Sequence, residues 1–262
     1  MPASSLHPIG CQLPERLGER LAARAADRPA LLRELLPWVR REGAMVALPP
    51  LAEAEPLPPQ AVLFDLDATL MACEFLDTLA GAVGLGDATH ALTRAAMEGR
   101  MEFAASYRER LCLLAGTPVD RIEALIDRLP LAPGAAELIA ALRRRGIRTA
   151  IVTGGYARVA RAIQQRLEID RCYATELEER DGRLTGRLAG PLLDAAAKVS
   201  ALDDLCTRFG VRRAQCVAVG DGANDLPLLA AAGWGVLYTA CPDHGRPPRP
   251  ISSLLEAPCF HI

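Results

Sequence analysis

The chain has 262 residues, with 30 Lys and Arg against 32 Asp and Glu for a formal charge of −2. That length holds one full α/β domain with an insertion, or a catalytic domain with a small appendage, and the near-neutral balance lacks the footprint of a nucleic-acid binder. No run approaches the roughly 20 apolar residues of a membrane span and no secretory pattern opens the chain, so a soluble cytoplasmic protein with a small polar substrate and neither nucleic-acid nor membrane partner is expected.

Up to residue 59 the sequence is Arg- and Ala-rich, helix-like over 13–26 and 30–41, and then proline-dense over 48–59. We read this region as a helical segment followed by a linker and assign it no chemistry. Next comes an alternation: apolar 61–66, helical segments to residue 129, apolar 147–153, a helix, a hairpin signalled by Asp181-Gly182, and apolar 214–220. Short apolar runs separated by helices predict an α/β fold built on a doubly wound parallel sheet. The expected core is 60–72 with 132–240, the segment 73–131 is a helical cap inserted over the site, and 241–262 form an irregular tail.

Three strand ends carry the polar residues, where ligands collect in open α/β sheets. The first is Asp65-Leu66-Asp67-Ala68-Thr69. Two acids straight after a buried strand are costly without a cation or hydrogen bonds to compensate, although one of them could simply cap a helix. The second is Thr153-Gly154-Gly155; it can aim a hydroxyl and backbone N–H groups at a phosphate or be an ordinary glycine turn. The third, Gly220-Asp221-Gly222-Ala223-Asn224-Asp225, again puts acids after a strand, in a sequence also common in turns. Lys198, on a helical segment between the second and third ends, would ordinarily be a solvated charge.

Taken in order, DxDxT, hydroxyl-glycine, lysine and GDGxND resemble the haloacid dehalogenase superfamily of phosphatases. Glu74 and the segments 96–103 and 106–111 are similar to the phosphoserine phosphatases within it. The resemblance covers about residues 61–237 and implies a Mg2+-dependent phosphomonoester hydrolase. Asp65 would be the nucleophile that becomes an aspartyl phosphate and Asp67 the general acid and base. Asp65, the Asp67 backbone carbonyl and Asp221 would hold Mg2+, with Asp225 close behind. Thr153, Gly154, Lys198 and Asn224 would bind the phosphoryl group. Glu74 would face the ammonium and Arg110 the carboxylate of phosphoserine, with Met97 and Phe103 also at the substrate.

The chain departs from the family at Ala68, where serine is usual, and at Ala240-Cys241-Pro242, where Ala-Lys-Pro is frequent. Three readings follow: hydrolysis of L-phosphoserine, a phosphatase or phosphotransferase for another small phosphomonoester, and a regulatory protein with a degenerate site. The eight cysteines form no CxxC pair, so reduced thiols rather than a zinc site are expected. Oligomeric state is left open.

Overall fold

The computed structural model describes residues 7–8, 14–15, 17, 27–49, 57–97, 100–243 and 247–261, with the backbone alone for 7–8 and 97. Its centre is a seven-stranded sheet in the order β1-β2-β9-β8-β3-β4-β5. The strands are β1 (His7–Pro8), β2 (Met45–Leu48), β3 (Ala61–Phe64), β4 (Arg148–Tyr156), β5 (Arg171–Thr175), β8 (Cys216–Gly220) and β9 (Trp234–Tyr238). The run β9-β8-β3-β4-β5 is parallel throughout. Four-residue strands such as Ala61–Phe64 are wholly apolar and wholly buried because helices cover both faces of the sheet.

Alternate strand residues divide between two cores, as the period of two requires. Val62, Phe64, Val217 and Val219 point to one, and Ala61, Leu63, Cys216 and Ala218 to the other. The first core packs on α6 (Ala135–Arg144), α7 (Ala157–Leu167) and the helices of the insertion. Those are α2 (Phe75–Ala82), then, beyond α3 (Gly86–Met97), which packs on the helices either side of it, α4 (Phe103–Leu113) and α5 (Val119–Ile126). The second core packs on α1 (Arg28–Glu42), α8 (Ala195–Phe209) and α9 (Leu226–Ala231). From β3 the chain proceeds to β4 and β5 on one side, then returns to β8 and β9 on the other. The carboxyl ends of β3 and β8 therefore flank the point where strand order reverses, the usual ligand crevice of such sheets.

The N-terminal region contributes more than the sequence suggested. Asp27 accepts the Ala30 N–H to open α1 and Gly43, at φ 63°, closes it, a residue pairing suited to the two helix ends. β2 was not anticipated. Its four buried residues pair antiparallel with β9, so residues 28–48 form part of the sheet and its covering layer. Most of the expected helix 13–26 and residues 50–56 of the linker lie outside the described residues.

The hairpin is β6 (Leu177–Arg180) with β7 (Arg183–Leu188). Asp181 and Gly182 both have positive φ, 50° and 70°, the requirement of the two-residue turn that matches strand twist. Residues 171–175 lie instead in the main sheet. The tail is irregular, yet its short turns Ile251–Glu256 and Pro258–Phe260 bury Ile251, Leu254 and Cys259 in the first core. Among the described residues no helix is long and apolar enough to cross a membrane.

Candidate active site

β3 ends in Asp65, whose N–H donates to Val219 O at 2.9 Å and so ties the first acidic strand end to β8. The next turn passes through Ala68 at φ 49°, which swings the chain so that Asp67 Oδ1 accepts the Phe75 N–H at the start of α2, at 2.8 Å. Asp67 also explains a glycine in β4. A Cβ on Gly155 would lie 2.6 Å from Asp67 Oδ2, so any side chain there displaces that carboxyl.

Asp65, Asp221 and Asp225 offer carboxylate oxygens that all lie within 4.8 Å of one another, and all three residues are buried. Isolated buried carboxylates are too costly to keep charged, so such a group needs cations. Two come from the chain. Lys198 Nζ, fully buried, donates to Asp65 Oδ1 at 2.7 Å and to Asp225 Oδ1 at 2.6 Å. Arg40 Nη1 donates to Asp221 Oδ2 at 3.2 Å. Three carboxylate oxygen donors converging in one buried place suit a hard divalent cation. The Asp67 carboxyl is not part of this group.

A cavity of about 170 Å³ opens over the cluster. Asp65, Asp67, Thr153, Gly154, Asp221 and Asn224 line its floor, and Glu74, Phe103 and Arg110 reach it from the insertion. Phe103, Tyr107 and Arg110 recur on one face of α4, with Arg110 5.8 Å from the Tyr107 ring centroid and 3.8 Å from Asp77. Of the three nearby arginines, Arg100 and Arg108 are exposed and Arg110 is buried. Lys198 sits behind Asp65 rather than on the cavity wall. The side chain of Met97 lies outside the described residues.

Burial raises the carboxyls unevenly. Asp65 is pushed up to about 7 by burial and by Asp225, with Lys198 opposing. Asp67 is held well above the ordinary carboxylate range by burial, Glu74 and Asp65. Asp221 is also raised, chiefly by burial, against the pull of Arg40, and Glu74 is raised by burial, against Arg110. A carboxyl clamped by an ammonium beside one held well above the ordinary range is a pairing suited to ester cleavage.

Sequence reasoning missed several cavity residues, among them Leu76 of α2 and Thr93 of α3. Further ones are Leu36 and Arg40, from α1, and Tyr107, from α4. The i, i+4 spacing of Leu36 and Arg40 put them on one helix face, but nothing local indicated which face met the crevice.

A parallel sheet with acids at the β3 and β8 ends under a helical insertion defines an α/β protein with a capped acidic site. Residues 62–230 match the family model of haloacid dehalogenase-like hydrolases, and the chain belongs to that family. It is 42% identical over 181 residues to a phosphoserine phosphatase of Mycobacterium tuberculosis, covering 69% of this chain and 44% of the relative. It is 42% identical over 202 residues to that of Halobacterium salinarum, covering 76% and 90%. A solved phospho-aspartyl intermediate analogue of phosphoserine phosphatase superposes with a TM-score of 0.64 at 36% identity, over 68% of this chain and 85% of the other. The chain spans about half the length of the first curated relatives it matches, 44%, 52% and 44%.

Proposed function

We propose that the chain hydrolyses phosphomonoesters through an aspartyl phosphate on Asp65, with Mg2+ as cofactor and L-phosphoserine as substrate. The observation that carries this reading is the pairing of Asp65, clamped by Lys198 at 2.7 Å, with Asp67 across one cavity, its carboxyl anchored by the Phe75 N–H at 2.8 Å. An Asp65 oxygen attacks phosphorus, the bond from phosphorus to the serine oxygen breaks, and Asp67 gives that oxygen its proton. Asp67, now a carboxylate, takes a proton from the water that cleaves the acyl phosphate and regenerates Asp65.

Asp65, Asp221 and the Asp67 carbonyl, with Asp225 behind them, would hold Mg2+, which offsets the charge of an anionic ester facing an anionic nucleophile. Thr153, Gly154 and Asn224 orient the phosphoryl oxygens. Lys198 acts on them through the carboxylates it holds. The buried Arg110 guanidinium suits a carboxylate and Glu74 an ammonium, and relatives named as phosphoserine phosphatases support that choice of substrate.

Phosphate release from a panel of small phosphomonoesters, with Mg2+ and with excess chelator, tests the proposal. Phosphoserine should lead the panel and chelator should silence it. Turnover that survives chelation removes the metal reading, and a flat profile removes the substrate.

A further inference from the structure

Among the described residues, the cavity has three walls. Two are the sheet ends and the helical insertion; the third is α1, which lies before residue 62 where the family match begins. α1 supplies Leu36 and Arg40. Arg40 is largely buried, bonded to Asp221 Oδ2 at 3.2 Å and within 3.5 Å of Asp243 Oδ1. It is thus a fixed cation in contact with one of the three clustered carboxylates and on the wall of the space a substrate must enter.

We infer that Arg40 is a positioning residue that sets the charge of the pocket, weakening its hold on the divalent cation and strengthening its hold on the phosphoryl dianion. This rests on the metal-dependent reading above. Lys198 and Arg40 each set a positive charge against the acidic cluster, with Asp243 sharing Arg40. Losing Arg40 makes the site one charge more negative, whether empty or loaded with Mg2+. Like charges a few ångström apart in a partly buried site interact strongly enough for this difference to matter. The two affinities therefore move in opposite directions on losing Arg40. A residue that merely orients Asp221, or merely supports α1, would lower both together.

The test is binding, read from thermal denaturation. Mg2+ is titrated into metal-free wild type, Arg40→Ala and Arg40→Lys, and inorganic phosphate is then titrated into the Mg2+-saturated proteins. Arg40→Ala should bind Mg2+ more tightly by about threefold or more and phosphate more weakly by about tenfold, while Arg40→Lys stays near wild type on both. Should Arg40→Ala fail to fold, Arg40→Gln removes the charge and keeps most of the side chain. Both affinities falling together, or either one unchanged, overturns the inference. A wild-type protein that ignores Mg2+ sinks the metal reading itself, and this inference with it, and that outcome is distinct from the others.

Discussion

Asp65 and Asp67 stand two residues apart, yet their surroundings give them different tasks. Asp65 faces an ammonium at 2.7 Å; Asp67 faces a backbone N–H and other acids. Asp65→Asn keeps the size and removes the proposed nucleophile, so labelled phosphoserine should leave no acid-trapped phosphoenzyme and turnover should fall by several orders of magnitude. Substantial turnover in that variant, with loss in Asp221→Asn, would favour direct attack by water. A second residue offers a stability test. The Tyr107 hydroxyl is buried with no hydrogen-bond partner among the described residues. An unsatisfied buried hydroxyl is costly, so Tyr107→Phe should raise stability in denaturant melts by about 1 kcal/mol. Destabilisation instead would show that the hydroxyl has a partner in solution. The acids could be placed from sequence because each follows a strand by one or a few residues, and strand ends in such a sheet converge. Lys198 was singled out by the family resemblance alone, since the carboxylates it meets lie 133 and 27 positions away.

At the level of elements, α1 and β2 are the part least visible in the sequence. The helix itself was legible in the spacing of Leu31, Leu32, Leu35 and Val39, all buried. Its position was not, because it depends on β2 pairing with β9, nearly two hundred residues later. Four residues before a proline-rich stretch carry too little pattern to announce a strand. One residue holds the arrangement together. Arg28, 5% exposed, donates to Ala232 O at 2.6 Å, Leu48 O at 3.1 Å, Gly233 O at 3.2 Å and Ala230 O at 3.3 Å. Its guanidinium thus joins the start of α1 to the end of β2 and to the turn between α9 and β9. Burial lowers its pKa to about 10, so it remains charged at neutral pH. Arg28→Ala leaves several carbonyls without donors and should cost about 2–4 kcal/mol in denaturant melts. It should also raise the KM for phosphoserine, because α1 carries Leu36 and Arg40 into the cavity. A cost below about 0.5 kcal/mol would mean that the apolar face of α1 suffices to dock it.

For the molecule as a whole, the site sets stability against function, and pH separates the two. Metal-free, the folded protein buries a group of carboxyls whose pKa values lie above the ordinary 3.8: Asp65 at about 7, with Asp67 and Asp221 also raised. Between about pH 4 and 7 the folded state therefore holds protons that the unfolded chain has released. The contribution of these groups to stability is complete below the unfolded values and is lost as pH rises through the folded ones. Mg2+ held by this cluster would require the ionised carboxylates, so its binding would expel those protons and grow more favourable over the same range. A cation bound by the folded state alone would appear directly as added stability. The melting temperature of the metal-free protein should fall from about pH 5 to about pH 8. Saturating Mg2+ should reduce that fall, widening the gap between the two curves towards alkaline pH. In Asp221→Asn, which removes one buried carboxyl from the cluster, both the fall and the gap should shrink. A gap that stays constant or narrows with pH would show that the buried carboxyls are already ionised in the metal-free fold, and the charge argument for the site would have to be redrawn.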